Sequence, residues 1–252
     1  FFPSLISYTS NFVMALHPGQ IGYVAHFWSL SVEEQFYIFF PLLLLFISNR
    51  YLIRVFVSLI IIAVASRALN YYIYHDRIIA GFASYTFTNC CFDCFGIGAI
   101  LAFYSVYKSQ SLIKLCKSSI PFLLSFAISI GLYSLSILTH PSFWAIVFVR
   151  LFFALFCFWL IAGASEGYFK GIFLKLLENH FIVYLGKISY GLYVYHFFMP
   201  YIFSYLNFPG QTYLFPLVTI GLAAVSFHFY EKPINNLKRF ATYQKYKVSF
   251  AK

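Results

Sequence analysis

Apolar residues run along this chain in long unbroken stretches separated by short polar gaps. A helix that spans a membrane needs about 20 mostly apolar residues. Runs of that kind lie near 33–48, 53–69, 92–107, 120–139, 143–163, 184–206 and 213–231, with a partial one at 1–16. Strands of a membrane barrel would instead alternate in polarity over about ten residues. Runs such as Pro41-Leu42-Leu43-Leu44-Leu45-Phe46-Ile47 and Leu59-Ile60-Ile61-Ile62-Ala63-Val64 show no alternation. The pattern therefore predicts an all-α fold, a polytopic transmembrane helix bundle of seven or eight spans. It reads as one domain, 1–240, followed by a short basic tail, 241–252.

The polar gaps differ in charge. Arg50 and Arg54 follow the second run, Lys108, Lys114 and Lys117 the fourth, and Lys170 and Lys175 the sixth. Lys238, Arg239, Lys245, Lys247 and Lys252 fill the tail. The gaps between are nearly free of Lys and Arg: 17–32 and 207–212 have none, and 140–142 is His140-Pro141-Ser142. The gap at 70–91 departs from this pattern, since it holds Arg77 beside Asp76. Basic loops face the cytoplasm, which predicts a cytoplasmic C-terminus and an external 17–32.

Composition sharpens this picture. The chain is 62% hydrophobic and 10% charged, where a soluble domain carries about 25% charged residues to clothe its core. Its 17 basic and 7 acidic residues give a net charge of +10, which could suggest nucleic-acid binding. The basic residues are spent on loops, however, and no phosphate loop, zinc-finger spacing or basic helix accompanies them. Nucleic acid is excluded as a partner. Cys90-Cys91-x-x-Cys94 lacks a second ligand pair at zinc spacing and is given no role. The chain opens on Phe1 without a signal peptide, so residues upstream are expected to be missing.

An ionisable side chain near the bilayer centre costs about 2.5–3.5 kcal/mol, so each one needs a reason. His26-Phe27-Trp28-Ser29-Leu30-Ser31-Val32-Glu33-Glu34-Gln35-Phe36-Tyr37 leads directly into an apolar run, and at helical spacing His26, Ser29, Glu33 and Tyr37 share a stripe. The structural alternative makes Ser31 an N-cap with Glu33 and Glu34 facing the helix dipole. Asp93 heads a segment whose Gly96 and Gly98 suit close helix packing. Arg150 lies about a third of the way into its run, either turned inward or snorkelling to the interface. Ser189, Tyr193 and His196 share another helical face. In Glu231-Lys232-Pro233 the proline is expected to end the last span and leave two interfacial charges. The predicted topology gathers Glu33, Asp93, Arg150 and His196 in the outer half of the bilayer, where Arg150 would pair with Glu33 or Asp93.

At these residues the chain resembles the acyltransferase-3 family of integral membrane acyltransferases. His26 to Tyr37 fits the motif H-x-W-S-L-S-x-E-x-Q-F-Y at every fixed position, Leu185 to His196 is similar to L-G-x-I-S-Y-G-x-Y-x-x-H, and Glu231-Lys232-Pro233 to a closing E-x-P. The resemblance implies a family bundle of about ten helices, each of membrane-spanning length. It also implies transfer of an acyl group, often acetyl, from cytoplasmic acyl-CoA to a hydroxyl of a cell-surface or exported glycan. The donor is then a substrate, with no bound cofactor and no metal, and the setting is the bacterial cytoplasmic membrane. Carried onto this sequence, Glu33, His26, Ser29, Gln35, Tyr37 and His196 would serve the transfer itself. Trp28, Asp93, Arg150, Ser189, Tyr190 and Tyr193 would contact substrate, and Lys187, Glu231 and Lys232 the donor.

Two features depart from the family pattern. No residue matches the His of the family's first helix, taken there as the catalytic base, so residues 1–252 alone are expected to be inactive. The Arg that commonly precedes the Asp of the F-D segment is also missing, with Asn89 and Cys90 nearby instead. Lys114, Lys117, Lys170 and Lys175 are open to two readings, as CoA-phosphate ligands or as topology signals. Two other readings of the whole chain remain beside acyl transfer: a transporter or flippase, and a non-catalytic remnant.

Overall fold

The computed structural model describes residues 2–20, 22–107, 109–138, 142–206 and 211–237. Lys108, His140, Pro141 and the basic tail from Lys238 onward, all read above as loop signals, lie outside the described residues, as does 207–210. The described chain is helical, without strands, as the apolar runs require. A backbone in hydrocarbon must satisfy its own polar groups, and a helix does so within one segment.

The chain divides into two compact units, 1–175 and 176–252. In the first, α1 (Phe2–Ile6) and α2 (Ser10–Leu16) precede a 3₁₀ turn over Gly22–Phe27, which leads into α3 (Trp28–Phe46). Then follow α4 (Leu52–Ile73), α5 (Arg77–Thr86), a 3₁₀ turn over Thr88–Cys91, α6 (Phe92–Tyr107), α7 (Ser109–Cys116), α8 (Ile120–Leu138) and α9 (Phe143–Ser165). The boundary falls within α10 (Gly171–Leu177). The second unit holds α11 (His180–Lys187), α12 (Ser189–His196), α13 (Met199–Tyr205), α14 (Gln211–Ser226), a π-helical turn over Phe227–Glu231 and α15 (Lys232–Leu237).

Among the described residues, six segments are long and apolar enough to cross a membrane: Gly22–Phe46, Asn49–Ile73, Thr88–Tyr107, Ile120–Ile137, Phe143–Ser165 and Leu214–Leu237. Their outward faces are apolar, with Leu45 and Phe46 among the most exposed residues, as lipid demands. The remaining two apolar runs are interrupted helices. At 1–16 the break comes at Tyr8, whose φ of 53° is left-handed. At 184–206 the chain bends at Ile188 (φ −96°, ψ 8°) and starts again at Met199-Pro200, where proline suits a first turn.

In the first unit α4 packs on α6 and α8 on α9, while α6 and α9 meet at the centre. The α4–α6 approach is close because Gly96 has no side chain: a Cβ there would stand 2.6 Å from the Phe56 carbonyl oxygen. Gly98 faces open space, so of the two glycines read as packing devices only the first acts as one. In the second unit α12 packs on α14. There Gly191 is the contact residue, since a Cβ would lie 3.0 Å from the Ala223 backbone.

Pro233 does not end the last span. A proline removes a helical hydrogen bond and crowds the preceding turn. Here the widened π-helical turn comes just before it, and Pro233 falls in the first turn of α15, so the helix carries on to Leu237.

Candidate functional site

The motif that leads into α3 divides between two backbone forms. His26 sits on the 3₁₀ turn, buried, with its ring 4.1 Å from that of Phe27. Trp28 opens α3 and packs on Tyr85 of α5 at 4.8 Å between rings. Ser29, Glu33 and Tyr37 follow at intervals of four on one helical face, with Glu33 and Tyr37 exposed. The predicted stripe therefore holds for those three, while His26 stands off the α-helix. Among the described residues no hydrogen bond or ion pair engages the Glu33 carboxylate. One turn beyond Tyr37, Pro41 has no N–H to give the Tyr37 carbonyl, which leaves a further acceptor at that level.

Capping does not explain this segment. Phe27 occupies the N-cap position, and Ser31 lies inside the helix, buried, sharing a 2.7 Å hydrogen bond with the Ser10 hydroxyl. Gln35 ties α3 to its neighbours. Its Nε2 donates to the Tyr8 carbonyl (2.6 Å) and to Asn11 Oδ1 (3.1 Å). Asn11 Nδ2 donates to the Thr88 hydroxyl (3.0 Å), which donates to Gln35 Oε1. Asn11, Gln35 and Thr88 thus close a ring in which each side chain both donates and accepts a hydrogen bond. Ser10, Asn11 and Thr88 drew no attention in the sequence, because short polar residues are inexpensive in a helix and carry no charge to betray them.

Asp93 is fully buried, and its partner is not the Arg150 foreseen. Arg67, on α4, meets it at 2.7 Å. Arg67 is itself 1% exposed, with Nε donating to the Val147 carbonyl and Nη1 to the Cys90 carbonyl, each at 2.8 Å. The expected pairing of Arg150 with Asp93 or Glu33 is overturned. Arg150 turns inward to neutral acceptors: the carbonyls of Tyr85 (2.5 Å) and Cys90 (3.2 Å) and the sulfur of Cys91 (3.0 Å). Its guanidinium also lies 4.8 Å over the Tyr85 ring. Of the two readings, the contacts favour Arg150 held by protein acceptors. The Cys90 carbonyl accepts from both arginines, so Arg67, Asp93 and Arg150 do gather at one level of the bundle. Arg67 was the residue missed. Its signal was present, an arginine within the apolar Ala63-Val64-Ala65-Ser66-Arg67-Ala68-Leu69.

In the second unit Ser189 and Tyr190 are exposed at the start of α12, Tyr193 is half-buried and His196 is exposed. His196 Nδ1 stands 2.6 Å from the Tyr193 carbonyl, which orients the imidazole, and the two rings lie 5.7 Å apart. Glu231 is half-buried, where an interfacial charge was expected. Its Oε1 accepts from the Ser226 hydroxyl at 3.2 Å and would lie 3.3 Å from a Cβ on Gly191. Lys187 and Lys232 are exposed.

Comparison with known proteins adds to this geometry. Residues 1–231 match a family model described as an acyltransferase domain, that of the acyltransferase-3 family. The chain is similar to O-acetyltransferase OatA of Staphylococcus aureus (strain MRSA252), 29% identical over 249 residues, 90% of this chain and 39% of that protein. It is also similar to a provisionally named O-acetyltransferase of the COL strain, 32% identical over 225 residues, 82% of this chain and 35% of that protein. The chain therefore spans well under half the length of these relatives. No solved structure matches it.

Proposed function

The chain belongs to the acyltransferase-3 family, and from that membership we propose that it acts in O-acyl transfer, with acetyl as the first candidate group. The donor is acyl-CoA on the cytoplasmic side and the acceptor a hydroxyl of a cell-surface or exported glycan. The C-terminus lies in the cytoplasm. What supports the chemistry is the face of α3 that carries Ser29, Glu33 and Tyr37 inside a membrane-spanning segment. A carboxylate in such a segment is costly, and among the described residues Glu33 is offset by no cation.

In this reaction a base takes the proton of the acceptor hydroxyl, whose oxygen attacks the thioester carbonyl. The tetrahedral oxyanion collapses, the carbon–sulfur bond breaks, and the CoA thiolate leaves and takes up a proton. No residue of 1–252 matches the family's first-helix His, so the base is assigned to none of them. Glu33 balances and orients the protonated base, and the Tyr37 phenol donates to the developing oxyanion. Gln35 contributes by holding α3 to α2 through its hydrogen-bonded ring. Ser189, Tyr190 and Tyr193 keep the substrate-contacting role that the resemblance assigns them, and His196 keeps its part in the transfer itself. Lys187 and Lys232 are the second unit's candidates for the donor's phosphates.

The test is Glu33→Gln in the complete reading frame that contains these residues. Glycan O-acetylation, read by mass spectrometry of surface glycans, is expected to fall to background at unchanged membrane abundance. Acetylation at the parent level would refute the role of Glu33.

A further inference from the structure

Between α5, α6, α8 and α9 lies a cavity of about 790 Å³, within the range of roughly 300–1,000 Å³ typical of small-ligand pockets. Its walls are largely apolar, built from Phe82, Phe126, Ile130, Ile146 and Phe153 among others. Two guanidinium groups of the cluster, the buried Arg67 and the half-buried Arg150, form part of the lining. A third, that of Arg77, lines it from the exposed start of α5 and lies 3.8 Å over the Tyr71 ring.

The charges at this cavity do not cancel. Among the described residues the single ion pair is Arg67 with Asp93, which uses the one carboxylate of the cluster. The acceptors that hold Arg150 are two carbonyls and a sulfur, none of which carries a full negative charge. The cluster of Arg67, Asp93 and Arg150 thus keeps one net positive charge against an apolar space within the membrane-spanning helices. Cations on membrane-spanning helices are paired, or they line a path for an anion. An apolar void with a fixed guanidinium in its wall complements a molecule with an apolar chain and an anionic head.

We propose that this cavity binds an anionic amphiphile, with its chain against Phe82, Phe126, Ile130 and Phe153 and its phosphate or carboxylate at Arg150. Trp28 and Arg150 both contact Tyr85, so an occupant would lie one aromatic residue away from the motif at the start of α3.

Binding to the full protein in nanodiscs of neutral lipid tests this directly, with dodecyl phosphate, laurate, dodecanol and inorganic phosphate as separate probes. Dodecyl phosphate or laurate is expected to bind saturably, about tenfold or more tighter than dodecanol, as one charge-assisted hydrogen bond provides. Inorganic phosphate is expected to bind far more weakly. The tighter of the two anions identifies the head group as phosphate or carboxylate. Arg150→Gln should lose that tenfold, and Arg150→Lys should restore part of it. Gly81→Phe supplies a second variant, because Gly81 lines the cavity and a Cβ there meets open space. It should abolish saturable binding without lowering the melting temperature. Equal binding of dodecanol and the two anions, inorganic phosphate binding as tightly as the amphiphiles, or full binding to Gly81→Phe would each overturn the proposal.

Discussion

Asp93 and Arg67 show how a buried charge is kept in a membrane-spanning bundle. Each alone would be costly, and together they are tolerated because Arg67 also donates from Nε to the Val147 carbonyl and from Nη1 to the Cys90 carbonyl. Asp93→Asn leaves that guanidinium buried without a counter-ion. Loss of one partner from such a pair costs about 3–5 kcal/mol, so a large drop in melting temperature in detergent is expected. Replacing both residues with apolar side chains of similar volume, Arg67→Met with Asp93→Leu, should cost less than Asp93→Asn alone. A double variant less stable than the single one would show that the pair is not held by mutual neutralisation. Half of this pair was legible in the sequence. The carboxylate at the head of an apolar helix called for a cation, but one chain of letters does not say which helix faces it. Arg150 was the wrong choice because two arginines lie at that level and the carbonyls of Tyr85 and Cys90 take the second.

At the scale of elements, helix type and rough extent followed from apolar run length alone, whereas continuity did not. The run at 184–206 is mostly apolar, yet it is cut at Ile188 and again before Met199, because hydropathy registers the solvent and is blind to backbone bends. Pro233 misled in the opposite sense: its penalty is absorbed by a π-helical turn, a local widening that residue spacing does not announce. Of the functional stripe, Ser29, Glu33 and Tyr37 were readable by their period, and His26 was misplaced because the 3₁₀ turn rotates it off that face. Close packing of helices was legible as glycine, though not which glycine. Gly191→Leu should separate α12 from α14, since even its Cβ would press on the Ala223 backbone and the Glu231 carboxylate. Overpacking of this kind costs about 1–3 kcal/mol, against little change for Gly98→Leu, where space is open. Comparable melting temperatures for the two variants would contradict the assignment.

Across the whole molecule the few charges divide by task. Those of the Arg67–Asp93–Arg150 cluster lie inside the bundle, whereas Arg50 and Arg54 flank the first connection at the start of the second span, and Lys114 and Lys117, and Lys170 and Lys175, lie in the connections after the third and fifth spans. Successive spans must alternate in direction, so these three connections fall on one side of the bilayer, and the segment joining α4 to α5 falls on the other. Basic connections are retained in the cytoplasm. The segment around His75 holds Asp76 with Arg77, and there the carboxylate caps α5 by accepting from the Ile78 and Ile79 amides. That cap, together with the hydrogen bond from Arg77 to the Tyr71 carbonyl, gives the exception at 70–91 a structural cause, so it does not weigh against an external position. In a variant with the native cysteines replaced, His75→Cys should then react with a membrane-impermeant maleimide added to intact cells. Ser48→Cys, next to Arg50, should react only after the cells are opened. Labelling of Ser48→Cys in intact cells with His75→Cys protected would invert the topology, and it would place the cluster and its cavity in the cytoplasmic half of the membrane, on the donor's side.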